Sequence, residues 1–214
     1  MIYIYGTGGL AREVANLLHE NGEYSRLGGF VDLPEVVAKF EGQLLLDRPV
    51  ISESEVTSKE DARIVVGVAT PHIRRKIVES LPADTKYESV IHHSAFVGMG
   101  VSLGPGAVVG AYCVLTTNIL IGAHATLDIS TVVGHDCEIG DYFTTARGVN
   151  VSGSCTIADE VYLGTGSAIR QGHWVERGVT VGMGAMVVKD CGQAGGVYVG
   201  VPARLLRIAA GSAA

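Results

Sequence analysis

The sequence predicts a mixed fold, a small Rossmann-like α/β unit followed by a parallel β-helix of six-residue repeats. Three observations carry this reading. Strands and helices alternate over the first 85 or so of the 214 residues. A strict six-residue period then takes over and runs without a break. Finally, the segment Gly6-Thr-Gly8-Gly9 sits between the first strand and the first helix, where a parallel α/β sheet makes its first turn.

The elements of residues 1–85 follow in order. MIYIYG reads as a short apolar strand and GTGGL as a glycine turn. AREVANLLHENG has helical spacing at Val14, Leu17 and Leu18 and stops at Gly22, a suitable C-cap. LGGFVD reads as a second strand ending at Asp32. RIVVGVAT reads as a third, followed by a helix through PHIRRKIVESL.

Beyond about residue 88 the pattern changes. Cut from Ile91, the chain gives 16 hexads through Met186, from IHHSAF and VGMGVS to VGMGAM, with no insertion. The first position is Ile, Val or Leu in 15 of the 16, Thr145 being the exception, and the second is Gly in 8. Neither the strand period of two nor the helix period of about 3.6 produces this, whereas stacked coils of a parallel β-helix do. Three hexads make one triangular coil, so residues 18 apart lie above one another at about 4.8 Å. The organisation expected is therefore an α/β domain over 1–85, a β-helix over 86–190 and a C-terminal tail over 191–214. The unbroken frame leaves no long loop in the β-helix, so any lid over a site there has to come from the N-terminal domain or another subunit.

Composition excludes several classes. The net charge of −6 and pI near 5.6 provide no basic stripe for nucleic acid. Mean hydropathy is +0.31, yet no apolar run approaches the ~18 residues of a membrane span. MIYIYGTGG lacks the basic start of a signal peptide, and a soluble cytoplasmic protein is the simplest account. High hydropathy without a membrane segment points to an oligomer. Cys113, Cys137, Cys155 and Cys191 form no CxxC pair and read as small buried residues. The seven histidines include no pair at coil spacing, so a zinc centre is not expected.

Within the hexads, VGHDCE places His135 beside Asp136, with no other imidazole within ten residues. His135 holds the third place, near a corner where side chains point outward. One coil on, residue 153 is glycine. A histidine stacked on a glycine leaves room for a substrate and exposes a backbone N–H, giving a base for a nucleophile's proton and a donor for a developing oxyanion. Asp136 would favour the imidazolium. The plainer readings are a solvated corner histidine and a polar turn residue. His173, at a normally inward fifth position, reads as a packed core residue. Gly8 and Gly9 open a helix in a phosphate-friendly turn, and Asp32 ends the strand where a Rossmann domain bonds a ribose, so nicotinamide dinucleotide binding is open from this half alone.

Taken together, GTGGLAREV, GFVD, ATPHIRR, VVGHDCEIGD and VGVPARLLR resemble the sialic-acid O-acetyltransferase-like branch of the hexapeptide-repeat acyltransferases, which includes nucleotide-amino-sugar N-acetyltransferases. The resemblance spans nearly the whole chain. It implies a left-handed β-helix, a homotrimer, acetyl-CoA as cosubstrate without a metal, and transfer to a UDP- or TDP-linked 4-amino-deoxy sugar for bacterial glycans. O-acetylation of a sugar of sialic-acid type, or non-catalytic nucleotide-sugar binding, are the alternatives. His135 takes the place of the family's general base, Asp136 that of its usual glutamate, and Gly153 that of the glycine whose amide contacts the thioester. Thr144 stands where relatives often carry a second histidine near the coenzyme. Gly164, Thr165, Gly182 and Met183 lie where the pantetheine arm runs, and Lys189 or Arg204 near its phosphates. Gly8, Gly9, Asp32 and Thr70 match the acceptor motifs of the first domain.

Overall fold

A computed structural model describes residues 1–208; the last six residues of the expected tail, 209–214, lie outside the described residues. The chain opens with β1 (Ile2–Tyr5), α1 (Gly9–Glu20), β2 (Leu27–Asp32), α2 (Pro34–Val37), β3 (Val50–Ser52), α3 (Glu53–Thr57), β4 (Arg63–Val66) and α4 (Pro71–Ser80). The four strands form one parallel sheet in the order β3-β2-β1-β4. RIVVGVAT is thus the fourth strand, not the third, and it ends at Val66. The strand missed in the sequence, β3, is a three-residue, half-buried edge strand with too few residues for alternation to show.

Helix α1 buries Ala11, Val14, Ala15 and Leu18, the apolar stripe expected of an amphipathic helix. It ends in a Schellman motif. Gly22, at φ +73°, donates to His19 O, and Glu23 donates to Leu18 O at 2.8 Å.

From Val90 the chain enters seventeen two-residue strands, β5 (Val90–Ile91) to β21 (Met186–Val187), dealt in turn onto three parallel sheets. Register is constant at 18 residues, as in Val132↔Asn150 and Thr126↔Thr144. One face, here called the first, carries Val108, Thr126 and Thr144; the second carries Val114, Val132 and Asn150; the third carries Leu120, Glu138 and Thr156. First and fifth hexad positions point inward: from Val109 to Val181 every first-position residue is buried. Each fully buried Val, Leu or Ile contributes about 1.5–3 kcal/mol.

Thr145, the exception in the first position, is buried with a partner. Its Oγ1 lies 2.7 Å from Thr131 Oγ1 and accepts from Asp128 N–H at 3.0 Å. The four cysteines are free and buried, and burial pushes the Cys113 and Cys191 thiols up to about 11. His173 departs from the core reading. It is 21% exposed, with Nδ1 2.9 Å from Asp190 Oδ1, because the β-helix is ending there and the coil below is incomplete.

The tail does not hang free. β22 (Gly196–Val199) adds to the first sheet parallel to Thr180–Val181, and β23 (Arg204–Ile208) turns back antiparallel to it. At the other end of the same sheet, Val90 and Val108 share a hydrophobic cluster with Ile2, Val14 and Leu18, which seats the N-terminal domain on the first face. The Glu13–Arg147–Asp128 bridge supports that contact at one corner of the face. Among the described residues no helix is long and apolar enough to cross a membrane.

Candidate active site

His135 lies at the corner between the second and third faces, between Val132–Val133 and Glu138–Ile139. Corners bring successive coils close together. A Cβ on Gly134 would lie 2.5 Å from Gly153 N, so glycine is required there. Ser154 N–H donates to His135 O at 2.7 Å, fixing the next coil directly below. The imidazole covers Gly153. A Cβ on that glycine would lie 2.8 Å from both Cε1 and Nε2 of the ring. Among the described residues no acceptor meets the Gly153 N–H.

The His135 side chain is 52% exposed, so it does not point into the packed interior. Its Nδ1 lies 2.7 Å from Asp136 Oδ2. The shorter aspartate therefore reaches the ring directly, from a left-handed backbone at φ +59° that Asp tolerates better than most residues. With Nδ1–H donating to the carboxylate, Nε2 is left as the acceptor. The hydrogen bond from His135, and a second from Asn118 Nδ2 at 3.3 Å, hold the Asp136 carboxyl below the usual carboxylate range. Asn118 had gone unremarked in the sequence. The signal for it was the same register, since Asn118 stands one coil before Asp136.

Thr144 is not near this corner. It projects from the first face, is 2% exposed, and its Oγ1 accepts from Arg74 Nη2 at 2.7 Å beneath the N-terminal domain. Its hydroxyl is enclosed within the protomer. Gly164 is buried, and a Cβ there would lie 2.6 Å from Met183 N, so corner packing is sufficient reason for this glycine. Thr165 and Met183 are exposed one coil apart at the corner between the first and second faces, with half-buried Gly182 beside them. That is a different edge of the prism from His135. Lys189 and Arg204 are exposed near the C-terminal end.

Gly8, Gly9 and Thr70 are exposed at the N-termini of α1 and α4, and half-buried Asp32 ends β2. Asp32 Oδ2 accepts from Thr7 Oγ1 at 2.8 Å, and its Oδ1 from Leu33 N–H. No atom lies within 4 Å of a Cβ built on Gly8 or Gly9, so the turn is open to a ligand. Gly6 (φ +108°) and Gly67 close the β1 and β4 ends of the crevice where the strand order reverses, the place where open α/β sheets bind ligands. A Cβ on Gly67 would lie 2.7 Å from Ala11 Cα. Among the described residues no three His, Cys, Asp or Glu side chains converge as a metal site requires.

An imidazole beside a backbone amide without an acceptor is equipment suited to acyl transfer, and a β-helix of six-residue repeats is the scaffold of the hexapeptide-repeat acyltransferases. Comparison with known proteins gives the particular family. Residues 1–81 match the PglD N-terminal domain. A GDP-perosamine N-acetyltransferase of Escherichia coli is 30% identical over 176 residues, 79% of this chain and 77% of that protein. The structure of WeeI from Acinetobacter baumannii superposes with a TM-score of 0.86 at 32% identity, over 96% of this chain and 99% of that one. PerB from Caulobacter crescentus, solved in complex with CoA and GDP-perosamine, gives 0.84 at 26% identity over 95% and 96%. The chain belongs to the hexapeptide-repeat nucleotide-amino-sugar N-acetyltransferases, acetyl-CoA-dependent acyltransferases with a left-handed β-helix.

Proposed function

We propose that this chain moves the acetyl group of acetyl-CoA onto the amine of a nucleotide-linked 4-amino-deoxy sugar, with His135 as general base. The observation that carries the residue assignment is the His135–Asp136 pair lying over Gly153. Nε2 of His135 takes a proton from the acceptor nitrogen as that nitrogen bonds to the thioester carbon. Asp136 holds the ring in the required tautomer and stabilises the imidazolium. The Gly153 N–H donates to the oxyanion of the tetrahedral intermediate. Collapse breaks the C–S bond, and the departing CoA sulfur receives the proton from His135. Thr165, Gly182 and Met183 line the path of the pantetheine arm, while Gly8, Gly9, Asp32 and Thr70 hold the nucleotide sugar.

The topology bears on how these parts meet. The N-terminal domain sits on the first face, and His135 occupies the corner between the other two, the edge opposite that face. Thr165 and Met183 lie on yet another edge. A sugar held by one protomer therefore reaches the His135 of a neighbour, and the site is complete only in an assembly. We propose a homotrimer, working in the cytoplasm, in which each cleft between protomers brings together one His135 corner and one Thr165–Met183 corner.

Two of the relatives named above, the Escherichia coli enzyme and PerB, act on or bind a GDP-linked sugar, so GDP joins UDP and TDP in the panel of acceptors. The test is release of free thiol from acetyl-CoA with each 4-amino sugar nucleotide, and identification of the product by mass and NMR. An amide on the sugar nitrogen is expected. An ester, or thioester cleavage with no acetylated product, would overturn the reading.

A further inference from the structure

Arg74 is the largest fully buried side chain among the described residues, at 1% exposure. It lies in α4, in the basic run Arg74-Arg75-Lys76. Its guanidinium uses every donor. Nη1 donates to Val68 O (2.7 Å) and Ala69 O (3.1 Å), and Nε to His124 O (2.8 Å). Nη2 donates to Tyr142 O (2.8 Å), Phe143 O (3.3 Å) and Thr144 Oγ1 (2.7 Å). Thr144 Oγ1 in turn lies 3.3 Å from Ala69 O.

Every one of these partners is neutral, and among the described residues no carboxylate pairs with Arg74. Burial draws its pKa down to about 10. An unpaired buried cation is costly, and a core of apolar residues would hold two domains together at less expense. What a guanidinium offers instead is direction, because its planar fork fixes the relative positions of the carbonyls it joins. Half of that fork holds Val68 and Ala69, in the loop between β4 and α4 that leads to Thr70. The other half holds two successive coils of the β-helix.

We propose that Arg74 is a positioning residue for the reaction: it locks the acceptor-side loop Val68–Thr70 to the β-helix, so that the sugar amine is presented to the neighbouring His135 at a fixed height along the prism. This inference rests on the acceptor lying in the N-terminal crevice, as proposed above.

The experiment compares wild-type enzyme with Arg74→Lys and the milder Thr144→Val. Steady-state kinetics are run with the active nucleotide sugar and with acetyl-CoA varied in turn, alongside hydrogen exchange of the loop. Arg74→Lys is expected to lower kcat/KM for the nucleotide sugar about 10–100-fold, as misplacement by an ångström does. KM for acetyl-CoA should stay within about twofold and the Ala69–Thr70 amides should exchange faster, and Thr144→Val should move the same quantities less. A KM for acetyl-CoA raised as much as that for the nucleotide sugar, or a lower Tm with unchanged kinetics and exchange, would overturn the assignment. Should Arg74→Lys not fold, Thr144→Val carries the same two outcomes. Wild-type enzyme that acetylates no nucleotide sugar defeats the acceptor reading instead, and loop exchange in the variants still decides whether the lock exists.

Discussion

The imidazole of His135 and the α-carbon of Gly153 are stacked so closely that a methyl group on the glycine would come within 2.8 Å of Cε1 and Nε2. The backbone at Gly153 is not left-handed, so alanine fits the chain there, and the displaced group is the movable end of a side chain. Gly153→Ala is therefore expected to fold, with Tm within a few degrees of wild type, while kcat falls about 100-fold as the base is pushed out of line. Thermal melting together with thiol-release kinetics checks both halves.

Asp136 does its work through a single 2.7 Å contact. Asp136→Asn keeps the size but presents an amide that can donate to Nδ1, favouring the tautomer with its proton on Nε2, where it blocks the base. A loss of about 10–100-fold in kcat is expected, less than for a buried carboxylate because this one is exposed. Asn118→Gly, which removes the 3.3 Å support and tolerates the local φ of +52°, should cost less. Wild-type turnover in Asp136→Asn would return this residue to a plain turn position.

How far the sequence reached can be judged residue by residue. The six-residue frame sorted inward from outward positions correctly along the β-helix because one repeated geometry decides burial in every coil, and it set His135 over Gly153 by counting alone. It failed where burial comes from elsewhere. Thr144 holds an outward sixth position, yet the N-terminal domain covers that face, and its partner Arg74 lies 70 residues earlier in α4, outside the six-residue frame. His173 holds an inward position that the end of the β-helix uncovers. The β3 strand, three half-buried residues at a sheet edge, had no pattern long enough to read.

The junction below Arg74 also carries a pH dependence. His124 is 4% exposed, with the Tyr87 ring edge-on at 4.4 Å and the Tyr142 ring stacked at 5.4 Å. Burial, and then the neighbouring Arg74 charge, push its pKa from 6.5 down to about 4. The unfolded chain takes up the proton first. The stability from neutral His124 is thus complete above pH ~6.5 and is lost as pH falls toward about 4, on the order of 3 kcal/mol at most. Urea midpoints at fixed protein concentration should drop over that window in wild type. The drop should be smaller in His124→Asn, whose side chain does not titrate and tolerates the local φ of +54°.

Inside the prism, the Thr131–Thr145 pair replaces apolar contact with hydrogen bonding. Thr131 Oγ1 donates to Asp128 O at 2.8 Å, so Thr131→Val leaves the Thr145 hydroxyl without its acceptor, and Thr145→Val leaves the Asp128 N–H without one, at about 1–2 kcal/mol each. The double variant should cost less than the sum, since the hydroxyl that Thr131→Val strands is gone and only the Asp128 N–H is left unpaired. A double-mutant cycle by urea unfolding measures that coupling. Simple additivity would mean that the two hydroxyls act independently.

The most direct measurement is the rate of acetyl transfer by His135→Asn, a variant close in shape that cannot take up a proton at working pH. If the imidazole is the base, kcat with the active sugar nucleotide falls by about 100-fold or more while acetyl-CoA still binds, as calorimetry on the same sample would show. Turnover within a few-fold of wild type would remove His135 from the chemistry.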